Sequence, residues 1–80
     1  MLKIKDNVDL KELEKFHIFE FVDLQTKEFD QYVGYVIDEK GEYKYVLETD
    51  KNKIIQTGMY KEGLDILYNL IKADLVEKVD

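Results

Sequence analysis

The chain has 80 residues and a net charge of −6, with 18 acidic and 12 basic residues and neither arginine nor cysteine. This length predicts one domain, residues 1–80, and the lack of cysteine excludes disulfides and thiolate zinc sites. The acidic balance, without the arginines that read guanine and phosphate, argues against nucleic acid as a direct partner. No apolar run approaches the ~20 residues of a membrane span and no signal peptide is expected, so we predict a cytoplasmic protein without a membrane partner.

The first residues predict a short edge strand and a short helix. Residues 2–5 alternate between apolar and basic side chains, as an edge strand does. Asp9 stands at the expected N-cap of a helix over residues 10–16, and Glu12 follows three residues later, as in a capping box. His17 then occupies the position where such a helix usually ends with a left-handed glycine.

The middle of the chain predicts four antiparallel strands, over residues 18–24, 31–38, 42–49 and 53–57. These segments are rich in β-branched and aromatic side chains. A type I turn with Gly41 in the left-handed position fits residues 38–41. A second turn of this kind is expected at residues 50–52, with Asn52 in place of the glycine.

The two turns predict the register of the strands and therefore the two faces of the sheet. The expected opposite pairs are Asp38 with Glu42, Ile37 with Tyr43, Tyr35 with Tyr45, and Val33 with Leu47, and Ile55 is expected beside Leu47. One face then collects Val33, Tyr35, Ile37, Tyr43, Tyr45, Leu47 and Ile55. The other face collects Tyr32, Gly34, Val36, Lys44, Val46, Glu48, Ile54 and Gln56. Which side of the first strand is buried stays open, because both of its sides are apolar. Phe19 and Phe21 lie on one side, and Ile18, Val22 and Leu24 lie on the other.

A loop through residues 59–62 leads into the last predicted element, an amphipathic helix within residues 63–76. Its apolar face carries Leu64, Leu67, Tyr68, Ile71 and Leu75 at helical spacing. Asp74 falls in the left-handed position after this helix, and residues 76–79 allow a terminal strand. The expected fold is α+β: a four-stranded antiparallel meander with a short N-terminal and a longer C-terminal helix on one face, the face of Tyr35 and Tyr45.

The sequence predicts no enzyme, no cofactor and no metal site. His17 is the single histidine, and the acidic turns lack the ligand spacing of a calcium loop. The chain has no serine, and no pair of carboxylates sits in the apolar setting that acid–base catalysis requires. The four glycines form no phosphate-binding loop.

The second sheet face is the candidate site of partner binding. If both helices cover the opposite face, this one remains exposed as a partly apolar patch with a charged border, which is typical of protein contacts. The expected partner-binding residues are Tyr32, Val36, Lys44, Val46, Glu48 and Ile54. We expect a protein partner or a self-dimer there, and we expect substitution of Tyr32 and Val46 to leave the monomer folded.

Two segments carry a resemblance to a known group of proteins. Residues 3–16, KIKDNVDLKELEKF, and residues 65–79, DILYNLIKADLVEKV, resemble small uncharacterised proteins encoded in prophages and phages of low-GC Gram-positive bacteria. Glycine commonly stands in that group at the positions of His17 and Asp74. The resemblance implies a phage accessory protein that works in the cytoplasm of a bacterial host cell.

The expected function is that of a non-catalytic accessory protein acting through protein–protein interaction. In a phage setting, an inhibitor of a host defence nuclease is one form of this function. The alternative is a small-ligand or nucleotide-binding module, with a pocket between the sheet and the C-terminal helix.

Overall fold

The computed structural model describes residues 1–58 and 60–79, so that Met59, in the loop predicted ahead of the last helix, lies outside the described residues. The elements are β1 (Leu2–Ile4), α1 (Leu10–Glu14), β2 (Ile18–Val22), β3 (Phe29–Ile37), β4 (Tyr43–Thr49), β5 (Ile55–Thr57), α2 (Lys61–Lys72) and β6 (Val76–Lys78). Strands β2 to β5 form an antiparallel sheet in sequence order, and β1 pairs with β6 in a second antiparallel sheet. The predicted α+β fold with a four-stranded meander is confirmed.

Both helices pack on the same face of the meander, and one apolar cluster lies between them and the sheet. Its buried members are Ile4, Leu13, Ile18, Tyr32, Val46, Leu47, Ile66, Leu70 and Val76. Leu13 comes from α1, and Ile66 and Leu70 come from α2. The small sheet is joined to the meander because the amide of Ile4 donates a hydrogen bond of 3.0 Å to the carbonyl oxygen of Lys53.

The helix ends follow the local sequence signals. The Asp9 side chain caps α1 by accepting a hydrogen bond of 3.0 Å from the amide of Lys11. His17 and Asp74 have φ angles of 63° and 61°, so the prediction of a left-handed residue after each helix is confirmed. Helix α1 is shorter than predicted, since it ends at Glu14.

The two hairpin turns are built alike, but the second one differs from the prediction by one residue. In each turn an aspartate, Asp38 or Asp50, accepts hydrogen bonds from two backbone amides further along the turn. The left-handed residue follows three positions after the aspartate, and it is Gly41 in the first turn, as predicted. In the second turn this position belongs to Lys53, with φ of 65°, and the prediction of Asn52 is wrong.

A β-bulge separates the observed register from the predicted one. Tyr35 pairs with Tyr45 as predicted, but Gly34 pairs with Leu47, so that Val46 is an extra residue in β4. The bulge lets two consecutive side chains, those of Val46 and Leu47, enter the core. The predicted pair of Val33 and Leu47 is wrong for this reason.

The helices cover the sheet face that was predicted to stay exposed. The predicted assignment of the faces is therefore wrong for β3 and for β4 as far as Val46, and it is correct for Leu47 and Glu48, which follow the bulge. Gly34 lies on the covered side, where an added Cβ would come to 3.2 Å from Leu47 Cβ. Gly63 is the corresponding residue of α2, since an added Cβ would overlap the carbonyl oxygen of Val46. Gly63 thus lets α2 approach β4 on the side of Tyr32, Gly34 leaves room there for Leu47 and Ile18, and Tyr35, Tyr43 and Tyr45 lie on the other side.

An alanine at position 63 should destabilise the protein, although alanine favours a helix over glycine by about 1 kcal/mol. Because its Cβ has no space beside the Val46 carbonyl group, we expect Gly63→Ala to lower the free energy of unfolding by about 2 kcal/mol or more, measured by urea titration. Gly58→Ala is the control, since a Cβ there meets no atom within 4 Å. Equal stability of the two variants would contradict the observed contact of α2 with β4.

A glycine at position 17 should stabilise the protein, because glycine adopts a positive φ without the steric conflict of a Cβ. We expect His17→Gly to raise the free energy of unfolding by about 0.5–1 kcal/mol and the melting temperature by about 4 °C. His17→Ala retains the Cβ and should give no such gain. Asp74→Gly should gain less than His17→Gly, because it removes the ion pair of 3.0 Å with Lys5. A lower melting temperature for His17→Gly would count against this strain.

Candidate functional site

The structure does not bring the six predicted partner-binding residues together on one surface. Tyr32 and Val46 are buried, with 8% and 1% of their surface exposed, so the expectation that they form an exposed patch is wrong. Val36 is partly buried against the same core, and Ile54 forms an isolated bridge with Lys3. The reason is the position of both helices, which cover this face of the sheet.

Lys44 and Glu48, the two charged members of the predicted patch, lie on opposite faces. Lys44 is on the helix side, where its Nζ lies 3.5 Å from Glu62 and 4.1 Å from the ring centroid of Tyr60. Glu48 is exposed on the other side, because the bulge at Val46 reverses the alternation of β4. Among the described residues, Lys44 and Glu48 therefore do not form the predicted charged border of a single patch.

We call the uncovered side of the meander the outer face. By the observed register it carries Phe19, Phe21, Gln31, Val33, Tyr35, Ile37, Tyr43, Tyr45, Glu48 and Gln56. Ile37, Tyr43 and Tyr45 are 63%, 64% and 65% exposed, which is high for large apolar side chains. In this set only Glu48 is charged. Three large side chains of the sheet are thus presented to solvent on a face almost without charge.

The rings of the outer face form one cluster around Tyr35. Phe19 stacks on Tyr35 with ring centroids 5.2 Å apart, and Tyr43 meets it edge to face at 5.0 Å. The ring of Tyr45 lies 6.5 Å away at an angle of 68°. Aromatic pairs prefer such stacked and edge-to-face arrangements. The cluster therefore spans β2, β3 and β4 and is held in place by its own contacts.

A depression of about 430 Å³ lies at the end of β5, and residues from both faces of the sheet line it. Its lining residues are Tyr45, Val46, Leu47, Glu48, Gln56, Thr57 and Gly58. Strand β5 pairs with β4 only at Leu47, Glu48 and Thr49. On the side of β4 away from β3, no strand among the described residues therefore lies beside Tyr45. The depression combines an aromatic ring, a carboxylate and an amide.

Tyr32 and Glu62 are ionisable groups with a shifted pKa, and both lie away from the outer face. Burial raises the pKa of Tyr32, and the nearby charge of Glu20 adds to this effect. A hydrogen bond from its own backbone amide lowers the pKa of Glu62 at the start of α2, and the charge of Lys44 acts in the same direction. In the part of the chain that the structure describes, no group of three His, Cys, Asp or Glu residues lies close enough to hold a metal ion.

Comparisons with protein-family models, with curated proteins and with solved structures find no match for this chain. Within residues 1–58 and 60–79, no helix is long and apolar enough to cross a membrane. The fold and the surface define an α+β domain with an exposed aromatic sheet face. Its function is therefore inferred from the chemistry of that face.

The outer face was not predicted from the sequence, because Tyr35, Tyr43 and Tyr45 were assigned to the core. A signal for the correct assignment was present in Gly34 and Gly63, since both mark places where another element approaches the backbone closely. The adjacent apolar pair Val46 and Leu47 was a second signal. A regular strand cannot bury both of these side chains on one face.

Adjacent lysine substitutions in β4 distinguish the two faces. Val46→Lys places a charge in the apolar core, and we expect it to cost about 4 kcal/mol or more and to unfold a domain of this size. Tyr45→Lys places the same charge on the outer face, and we expect circular dichroism to show a folded protein. An unfolded Tyr45→Lys beside a folded Val46→Lys would reverse the assignment of the faces.

Proposed function

We propose that this protein is a non-catalytic binding protein that recognises another protein through the outer face. The observation that carries the proposal is the exposure of Ile37, Tyr43 and Tyr45 on a sheet face with a single charge. The centres of protein interfaces are enriched in aromatic residues and depleted of charged ones. A cluster of rings that already contact one another also loses less conformational freedom when a partner binds.

A protein partner fits this face better than a small ligand does. Small-molecule sites are concave and enclose most of the ligand, whereas the depressions at the rings of the outer face and at the end of β5, of about 210 and 430 Å³, are both open to solvent. The alternative pocket between the sheet and α2 has no space where Gly63 meets Val46, because even a Cβ would overlap the strand there. The exposed face with its open depressions therefore favours a macromolecule.

A protein partner also fits better than single-stranded nucleic acid, which does stack its bases on exposed aromatic rings. Proteins that bind single strands combine such rings with a basic groove for the phosphates. The outer face carries no lysine, its one charge is that of Glu48, and the chain has a net charge of −6. Phosphates would be repelled, so stacking alone would have to hold the strand.

The resemblance of the chain ends to phage and prophage proteins suggests the setting of this interaction. We place the protein in the cytoplasm of a bacterial host cell, where its partner is a host or a phage protein. An inhibitor of a host defence nuclease is the specific form that the proposal takes in this setting. The net charge of −6 suits a partner with a basic nucleic-acid channel.

The double variant Tyr43→Ser/Tyr45→Ser tests the proposed surface. Both side chains are mostly exposed, so the variant should remain folded while it loses most of the apolar contact area. In affinity capture from bacterial lysate, quantified by mass spectrometry, we expect proteins retained by the wild type to fall at least about tenfold with the variant.

Tyr68→Ser is the matched control, because Tyr68 of α2 is 61% exposed and lies outside the outer face. It should retain the same proteins as the wild type. If the double variant on the outer face retained them equally well, or if only Tyr68→Ser lost them, the outer face would not be the binding surface.

A further inference from the structure

The bulge in β4 brings Tyr45 and Glu48 onto the same face. Side chains three positions apart point to opposite faces of a regular strand. Because Val46 is an extra residue, Tyr45 opposite Tyr35 and Glu48 opposite Val33 both lie on the outer face. Bulges commonly redirect a side chain in this way at functional sites.

The resulting depression has the chemistry of a site for a positively charged side chain. Its lining includes the ring of Tyr45, the carboxylate of Glu48 and the amide of Gln56. A lysine or arginine is attracted by the face of an aromatic ring and by a carboxylate, and an amide oxygen accepts a further hydrogen bond. The volume of about 430 Å³ accommodates the end of such a side chain.

Glu48 is free to take part in such a contact. The ion pairs among the described residues involve Asp6, Glu12, Glu62, Asp74 and Glu77, and none of them involves Glu48. Its side chain is exposed, so its charge remains solvated while the face is uncovered. A partner that buried this carboxylate without a counter-charge would leave an unpaired charge in the interface, which is unfavourable.

The same charges disfavour a second copy of the chain as the occupant. Two copies that met through their outer faces would each bring a net charge of −6, with Glu48 inside the contact on both sides. Like charges slow the encounter and weaken the complex. With a basic partner, the same charges speed the encounter and stabilise the complex.

We infer that the outer face binds a basic protein segment that places a lysine or arginine side chain in the depression between Tyr45 and Glu48. This inference rests on the proposed function and adds the chemistry of the partner. The apolar part of the segment lies on the ring cluster around Tyr35, and its positive charge pairs with Glu48, the carboxylate that the bulge places on this face.

A library of random peptides provides a probe that assumes no particular partner. Peptides are selected on the full-length protein, and their affinities for variants are measured by fluorescence anisotropy at low and at physiological salt. We expect the selected peptides to carry lysine or arginine beside apolar residues. Glu48→Gln should weaken them about fivefold and Glu48→Lys more strongly, and added salt should weaken binding to the wild type.

Glu14→Gln is the matched control, since it removes the same charge from an exposed residue of α1 and should change the affinities less than about twofold. Peptides that depend on Tyr43 and Tyr45, contain no basic residue and tolerate Glu48→Gln would overturn this inference and leave the proposed function standing. If no selected peptide needs Tyr43 and Tyr45 for binding, both this inference and the proposed function are overturned. A wild-type dimer in sedimentation analysis that dissociates with Tyr45→Ser would instead make a second copy the occupant.

Discussion

The contact between Gly63 of α2 and the carbonyl group of Val46 determines which face of the sheet becomes the core. The helix lies so close to β4 that no side chain fits between them at this point. This approach buries Ile66 and Leu70 of the helix against Val46. Since the chain has no third helix among its described residues, the opposite face of the meander is left uncovered.

The bulge and this contact act together on the composition of both faces. Without an extra residue at Val46, burial of Leu47 on the helix side would require Tyr45 there as well. With the bulge, Val46 and Leu47 are both buried while Tyr45 remains on the outer face. The aromatic cluster is therefore a consequence of the same irregularity that packs the core. Its rings bury part of their surface against one another, and the rest of that surface is exposed.

The parts of the structure that follow from short-range signals were predictable. The cap at Asp9, the left-handed residues His17 and Asp74 and the turn at Gly41 depend on steric and hydrogen-bonding rules within a few residues. The choice of the buried face was not predictable from hydrophobicity, because both faces of the sheet carry apolar side chains. That choice depends on a bulge and on a helix contact between distant segments, and Gly34, Gly63 and the adjacent apolar pair Val46 and Leu47 are its marks in the sequence.

The distribution of charge distinguishes the outer face from the rest of the described surface. Among the described residues, the strand register places a single charged side chain on it, that of Glu48. Large exposed apolar patches promote association, and here the net charge of −6 opposes the association of identical copies over distances of about a Debye length. Under the proposed function, the same field would attract a basic partner to the surface. Long-range repulsion between copies and short-range apolar attraction on the outer face would then together favour a partner of opposite charge, with Glu48 as the residue that it pairs with.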